Sequence, residues 1–215
     1  EKVRITGELF TTLSTKISMA TFNDKKALLV DTVGFIDGLP VTLIEAFRST
    51  LEETVYSNLI ILVVDCSEPL GEVKRKVKCC LDTLREIGIT STPIVTALNK
   101  IDLVEKSRVN EIVKSLEGET PNPVPISALK NINIEKLKET VSKNLKNFVK
   151  AYFELPLTSN SLSLISKIRS FSTVLNQNLD GKSIFIEVES MDYLMDKIRS
   201  RVESVGGRMV EVVKA

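Results

Sequence analysis

Four short apolar runs in this chain each stop on a polar residue. "ALLVD" ends at Asp31, "LIILVVD" at Asp65, "PIVTALN" at Asn99 and "NPVPIS" at Ser127. Between them lie longer runs with apolar residues at helical spacing, such as "PVTLIEAFRSTLEETV", "EVKRKVKCCLDTLREIGI" and "VEKSRVNEIVKSLEG". Strand and helix signals that alternate this regularly predict an α/β fold, a mostly parallel sheet with helices on both faces. Crossovers in such sheets are right-handed, and ligands bind beyond the carboxyl ends of the strands. The four polar tips are therefore expected to lie along one edge and to share a site.

The alternation opens with "KISMATF", the turn "NDKK" and "ALLVD", which read as a hairpin. It closes with "NIEKLKETVSKNLKNFV", predicted as a long helix with Leu137, Val141, Leu145 and Phe148 on one face. After about residue 150 the pattern changes. "AYFELPL", "SLSLISKIRSF", "TVLNQNL", "KSIFIEVES", "MDYLMDKIRSRVESV" and "RMVEVVK" run strand, helix, strand, strand, helix, strand. That order is the split βαβ, or ferredoxin-like, motif. The expected domains are 1–150 and 151–215, the second a small α+β unit in which acids and bases balance at eight each.

Composition narrows the chemistry. The chain has no histidine, so Ser-His-Asp and Cys-His catalysis are excluded. Its three cysteines, Cys66, Cys79 and Cys80, have neither disulfide-framework nor zinc spacing and suit a reducing cytosol. A net charge of +1 gives no general signature for nucleic acid. No apolar run approaches the ~20 residues of a membrane span, and the chain begins at Glu1 without a secretory signal.

Three tips carry chemistry. In Asp31-Thr32-Val33-Gly34, a strand-end carboxylate suits a water-mediated magnesium ion, and a glycine lets a backbone N–H approach a terminal phosphate. Alone, D-x-x-G is more often a polar turn. In Asn99-Lys100-Ile101-Asp102, an amide and a carboxylate follow a buried strand. Asp102 would accept from guanine N1–H and the exocyclic amine, and the Lys100 stem would lie along the base plane. The alternative is an Asn- and Asp-rich turn. In Ser127-Ala128-Leu129-Lys130, backbone amides would bind guanine O6 and Ser127 would brace the Asp102 loop; the alternative is a helix cap. Taken in order at successive strand tips, the three look like the third, fourth and fifth motifs of a translation-factor-type GTPase. A threonine for the metal is then expected upstream, where "LFTTLST" offers Thr11, Thr12 and Thr15.

A phosphate-binding loop needs G-x-x-x-x-G-K-[ST] between a strand and a helix. The chain's G-K-S, Gly181-Lys182-Ser183, has Asn176 in place of the first glycine and is followed by the strand "IFIEVE". It reads as a hairpin turn.

"ELFTTLST", "LLVDTVGFIDGLP", "LIEAFRSTLEE", "LIILVVDCSEP", "LNKIDLV" and "PISALK" together resemble the HflX family of ribosome-associated GTPases, over about residues 5 to 150. The resemblance implies a P-loop-NTPase-like GTPase sheet whose first strand and P-loop are missing from these residues, so that the domain starts before the switch I region. It implies GTP/GDP and Mg2+ as ligands and selects Thr12 with Asp31 for the metal. It assigns Asp31, Gly34, Asn99, Lys100, Asp102, Ser127, Ala128 and Leu129 to the nucleotide. Phe35 stands where many GTPases carry a water-orienting glutamine, and an apolar side chain cannot do that. The implied parent is a cytoplasmic GTP phosphohydrolase that acts on the large ribosomal subunit, its rRNA and protein, in splitting or rescue. These 215 residues taken alone are expected to be inactive. The alternative is a P-loop-less, non-enzymatic module that binds the ribosome or another partner. A GTPase of the Obg or Era type fits less well, because of the F-R-S-T-L-E-E helix.

Overall fold

Strands β3 (Ile60–Asp65), β4 (Ile94–Asn99) and β5 (Pro123–Pro125) pair in parallel, in that order. The computed structural model describes residues 16–32 and 54–214. Helix α1 (Leu70–Glu86) joins β3 to β4, and α2 (Lys106–Ser115) joins β4 to β5. The α/β class read from the sequence therefore holds. Alternation places Leu62 and Val64 of β3 on the face that α1 covers with Val73, Val77 and Leu81; Leu98, Ile112 and Leu116 complete this core. Helix α1 ends before Gly88, whose φ of 91° is a conformation glycine adopts without a Cβ clash.

Two strands are more exposed than their apolar runs suggest. Val63 is 62% exposed although it lies inside the continuous apolar run "LIILVVD". Among the described residues β3 has one sheet neighbour, β4, and its packed face is the one with Leu62 and Val64. Likewise β1 (Lys16–Phe22) and β2 (Lys25–Asp31) form a separate two-stranded sheet, with Leu28, Leu29 and Val30 exposed.

The described residues divide into two compact units, 16–18 with 29–32 and 54–140, and 19–28 with 141–214. The second contains β6 (Phe148–Pro156), α4 (Ser159–Phe171), β7 (Thr173–Asp180), β8 (Ser183–Met191), α5 (Asp192–Ser204) and β9 (Arg208–Lys214). Its antiparallel sheet has the order β7-β8-β6-β9, the split βαβ arrangement. Val149, Ala151, Phe153 and Leu155 of β6 alternate onto one face. There they meet Ile184, Ile186 and Val188 of β8, Leu164, Ile165 and Ile168 of α4, and Met195, Ile198 and Val202 of α5. Thr158 caps α4 by accepting from Ser161 N at 3.2 Å. In this unit the hairpin residue Lys25 donates from Nζ to Ser142 O at 2.9 Å and lies 5.0 Å over the Phe148 ring.

The predicted long helix is shorter than its periodicity. Helix α3 spans Ile134–Asn144, and Phe148 belongs to β6, opposite Met191. Asn147, at φ 64°, turns the chain between the two elements; asparagine tolerates the left-handed region better than most residues. Gly181 and Lys182 form the two-residue turn between β7 and β8, with Gly181 at φ 58°, as the hairpin reading of G-K-S requires.

Candidate functional site

Asp65 and Asn99 are paired in register as the last residues of β3 and β4. The chain leaves β4 through Lys100, whose φ is 66°, and enters a short 3-10 turn, Ile101–Leu103. Ile101 N donates to Ile126 O at 3.2 Å and Ile126 N donates to Leu98 O at 2.8 Å. These two bonds tie the loop after β4 to the chain that leaves β5.

A side-chain bond strengthens that tie. Asn99 Oδ1 accepts from Ala128 N at 3.0 Å, so two of the predicted segments meet directly. The second segment keeps its own shape through Ser127. Ser127 is fully buried; its N donates to Ile132 O at 3.1 Å, and its Oγ accepts from Lys130 N at 3.1 Å. The hydroxyl expected to brace the Asp102 loop thus works within its own turn, and backbone bonds with Asn99 supply the brace. Ala128 and Leu129 are exposed at the rim.

Sequence reasoning noted Asp65 only as a strand tip. In the structure Lys100 Nζ lies 2.5 Å from Asp65 Oδ2. Ser67 donates to Asp65 Oδ1 from N at 2.9 Å and from Oγ at 2.6 Å. Partial burial works against the charged form, but Lys100 and the two Ser67 bonds outweigh it and hold the Asp65 carboxyl below the usual range. The signal for this pair was the acid at the tip beside Asn99. The Lys100 stem is thereby fixed in course by its own ammonium. Asp102, by contrast, makes no side-chain hydrogen bond or ion pair with the described residues.

Asp31 ends β2 and is exposed. Among the described residues β2 pairs with β1 and not with β3, so Asp31 ends a strand outside the sheet that carries Asp65 and Asn99. Of the four tips expected along one edge, Asp65, Asn99 and Ser127 follow successive strands of the three-stranded parallel sheet. Thr12, Gly34 and Phe35, and most of the run "PVTLIEAFRSTLEETV" expected to be helical, lie outside the described residues. Among the described residues no cluster of three or more acidic, cysteine or histidine side chains could hold a metal ion, and no helix is long and apolar enough to cross a membrane.

Residues 8–147 match the Elongation factor Tu GTP binding domain. The GTPase HflX of Thermococcus kodakarensis is 47% identical over 114 residues, which cover 53% of this chain and 26% of that protein. The chain belongs to the HflX family of GTPases. The HflX GTPase of Thermofilum pendens is 34% identical over 202 residues, 92% of this chain and 46% of that one. This HflX-family chain thus spans less than half the length of these relatives. Among solved structures, a GTP-binding protein from Sulfolobus solfataricus in complex with GDP has a TM-score of 0.54 and 35% identity, covering 64% of this chain and 47% of its own. The family placement agrees with the motif order and with the parallel strands that carry it.

Proposed function

We propose that this chain reads the base of GTP or GDP with Asn99, Lys100, Asp102, Ser127, Ala128 and Leu129. Asp102 accepts from guanine N1–H and the exocyclic amine, a donor pair adenine lacks. The Lys100 stem lies along the base plane, and the Leu129 amide, the one in the Ser127–Leu129 turn not given to Ile132 or Asn99, faces O6. The observation that carries this reading is the Asn99 Oδ1–Ala128 N bond, which holds the two base-reading segments together before a ligand arrives. Relatives that are named GTPases and a solved relative bound to GDP support it.

Asp31 and Thr12 are assigned to Mg2+, with the Gly34 amide toward the terminal phosphate. A strand-end carboxylate without an ion pair among the described residues suits an ion that keeps most of its water. The metal, when bound, would neutralise phosphate charge. We further propose residues 1–150 as the GTPase domain and 151–215 as a ferredoxin-like appendage. The full-length protein is proposed to hydrolyse GTP in the cytoplasm on the large ribosomal subunit, contacting rRNA and protein. Co-sedimentation of the full-length protein with purified large subunits tests that part, and no GTP-dependent pelleting would remove it.

The base assignment is tested by Asp102→Asn. An asparagine amide pairs with N1–H and O2 of xanthine, so preference should shift from guanine toward xanthine nucleotides by at least about tenfold in competition binding. An unchanged guanine preference removes Asp102 from the base site.

A further inference from the structure

Both helices of the second unit lie on one face of its sheet, and the opposite face carries two aromatic rings. Ala151, Phe153, Ile184 and Ile186 point into the helix-covered core, so Tyr152 and Phe185 point away from it. Tyr152 pairs with Glu187, and Phe185 with Glu154, across the two central strands β6 and β8. The rings are therefore diagonal neighbours on one face, roughly 7 Å apart by the geometry of such pairs. Each is 37% exposed.

The groups around the rings are mostly acidic. Glu211 of β9 stands beside Tyr152, Asn176 beside Glu187, Asn178 beside Phe185, and Asp180 beside Ser183. Glu154, Asp180, Glu187, Glu189 and Glu211 thus share this face with two cations among the described residues, Arg208 and Lys150, and Lys150 stands opposite Glu189. Arg208 is already engaged, with Nη2 2.7 Å from Glu154 Oε2. Tyr152 Oη donates to Glu187 Oε1 at 3.0 Å. That bond, slight desolvation, and the charges of Glu187 and Glu211 together raise the Tyr152 pKa, as a negative local field should.

Paired aromatics on the open face of a split βαβ sheet suit base stacking, but this face repels phosphates. It fits the opposite charge. A guanidinium stacks on an aromatic ring and forks onto carboxylates, which are the two things this surface offers. We propose that the open face of the β7-β8-β6-β9 sheet docks an arginine-bearing basic polypeptide segment, with Tyr152 and Phe185 as its stacking platform and Glu187 and Glu211 as its ion-pair partners.

The test uses the full chain and a fluorescein-labelled arginine–serine repeat peptide in anisotropy titrations at low salt. The wild type should bind. Tyr152→Ala with Phe185→Ala should weaken binding at least about fivefold. Glu187→Gln with Glu211→Gln should weaken it and flatten its salt dependence. The second pair keeps every side chain's shape, so it decides the matter if the alanine pair does not fold. Absence of peptide binding by the wild type overturns the proposal, as does unchanged affinity in the glutamine pair. Tighter binding of a labelled oligouridylate, lost on the same aromatic substitutions, would make the face a nucleic-acid platform and overturn it too.

Discussion

Lys100 Nζ lies 2.5 Å from Asp65 Oδ2, so the tip of β3 holds the loop that follows β4. The two side chains are 50% and 28% exposed, which limits the pair to about 1 kcal/mol or less in solvent-screened surroundings. Its larger effect is on where the lysine stem runs.

Asp65 makes the pair pH-dependent in a defined direction. Its folded pKa is lowered from 3.8, so its contribution is fully present above that value and is lost as pH falls through the lowered folded value. Urea midpoints of the wild type and Asp65→Asn should differ by a constant amount from neutral pH down to about pH 5 and converge below about pH 4. A gap that persists in acid would show that the carboxylate's charge is not what matters.

Asn99→Ala removes the acceptor for Ala128 N. The exposed turn can rehydrate, so the stability loss should be about 1 kcal/mol. Affinity for a fluorescent GDP should fall by more than that loss explains if the proposed base site needs the side-chain joint between the Asn99 and Ser127 segments. Equal affinity in the variant would separate the Asn99–Ala128 bond from nucleotide binding.

Two glycines should respond oppositely to alanine. A Cβ on Gly207 would meet Glu154 O and Val202 Cγ1 at 2.7 Å, and Leu155 Cγ at 3.1 Å. Gly207→Ala should cost about 1–3 kcal/mol, visible as a lower melting temperature. Gly71, in the first turn of α1, has nothing within 4 Å of a built Cβ. Gly71→Ala should leave the melting temperature unchanged or raise it, by at most about 1 kcal/mol in stability.

The cysteines should alkylate in order of exposure. Cys66 is 1% exposed, and burial, helped by the neighbouring Asp65 charge, pushes its thiol up to about 11. Cys79 is exposed. Iodoacetamide at mildly alkaline pH should label Cys79 first and Cys66 only after denaturant is added, as read by peptide mass spectrometry. Early labelling of Cys66 would mean that the β3 tip opens readily.

The sequence was most readable where periodicity and punctuation agreed. "RMVEVVK" is β9 residue for residue, and Gly181-Lys182-Ser183 marked a hairpin turn that is present. The order of the Asn99 and Ser127 segments was legible because each follows an apolar run. What failed was anything decided by a distant neighbour. Phe148 continues a helical stripe in sequence, yet its partner is Met191 on another strand. Val63 looks buried until the covering elements of β3 are counted. The Asp65–Lys100 pair joins the tip of β3 to the loop after β4, and its one signal, an acid at a strand tip, does not name the partner.

Ala128 takes part in the joint with Asn99 through its main chain alone. Nearly any amino acid could occupy that position and keep the contact, and proline, which has no N–H, would sever it. The joint is therefore written in geometry more than in letters. Drift at position 128 would leave it intact, and a comparison of sequences would pass over it. Asn99, whose side-chain oxygen is the other half, has no such freedom, so the two partners of one bond are under very unequal constraint.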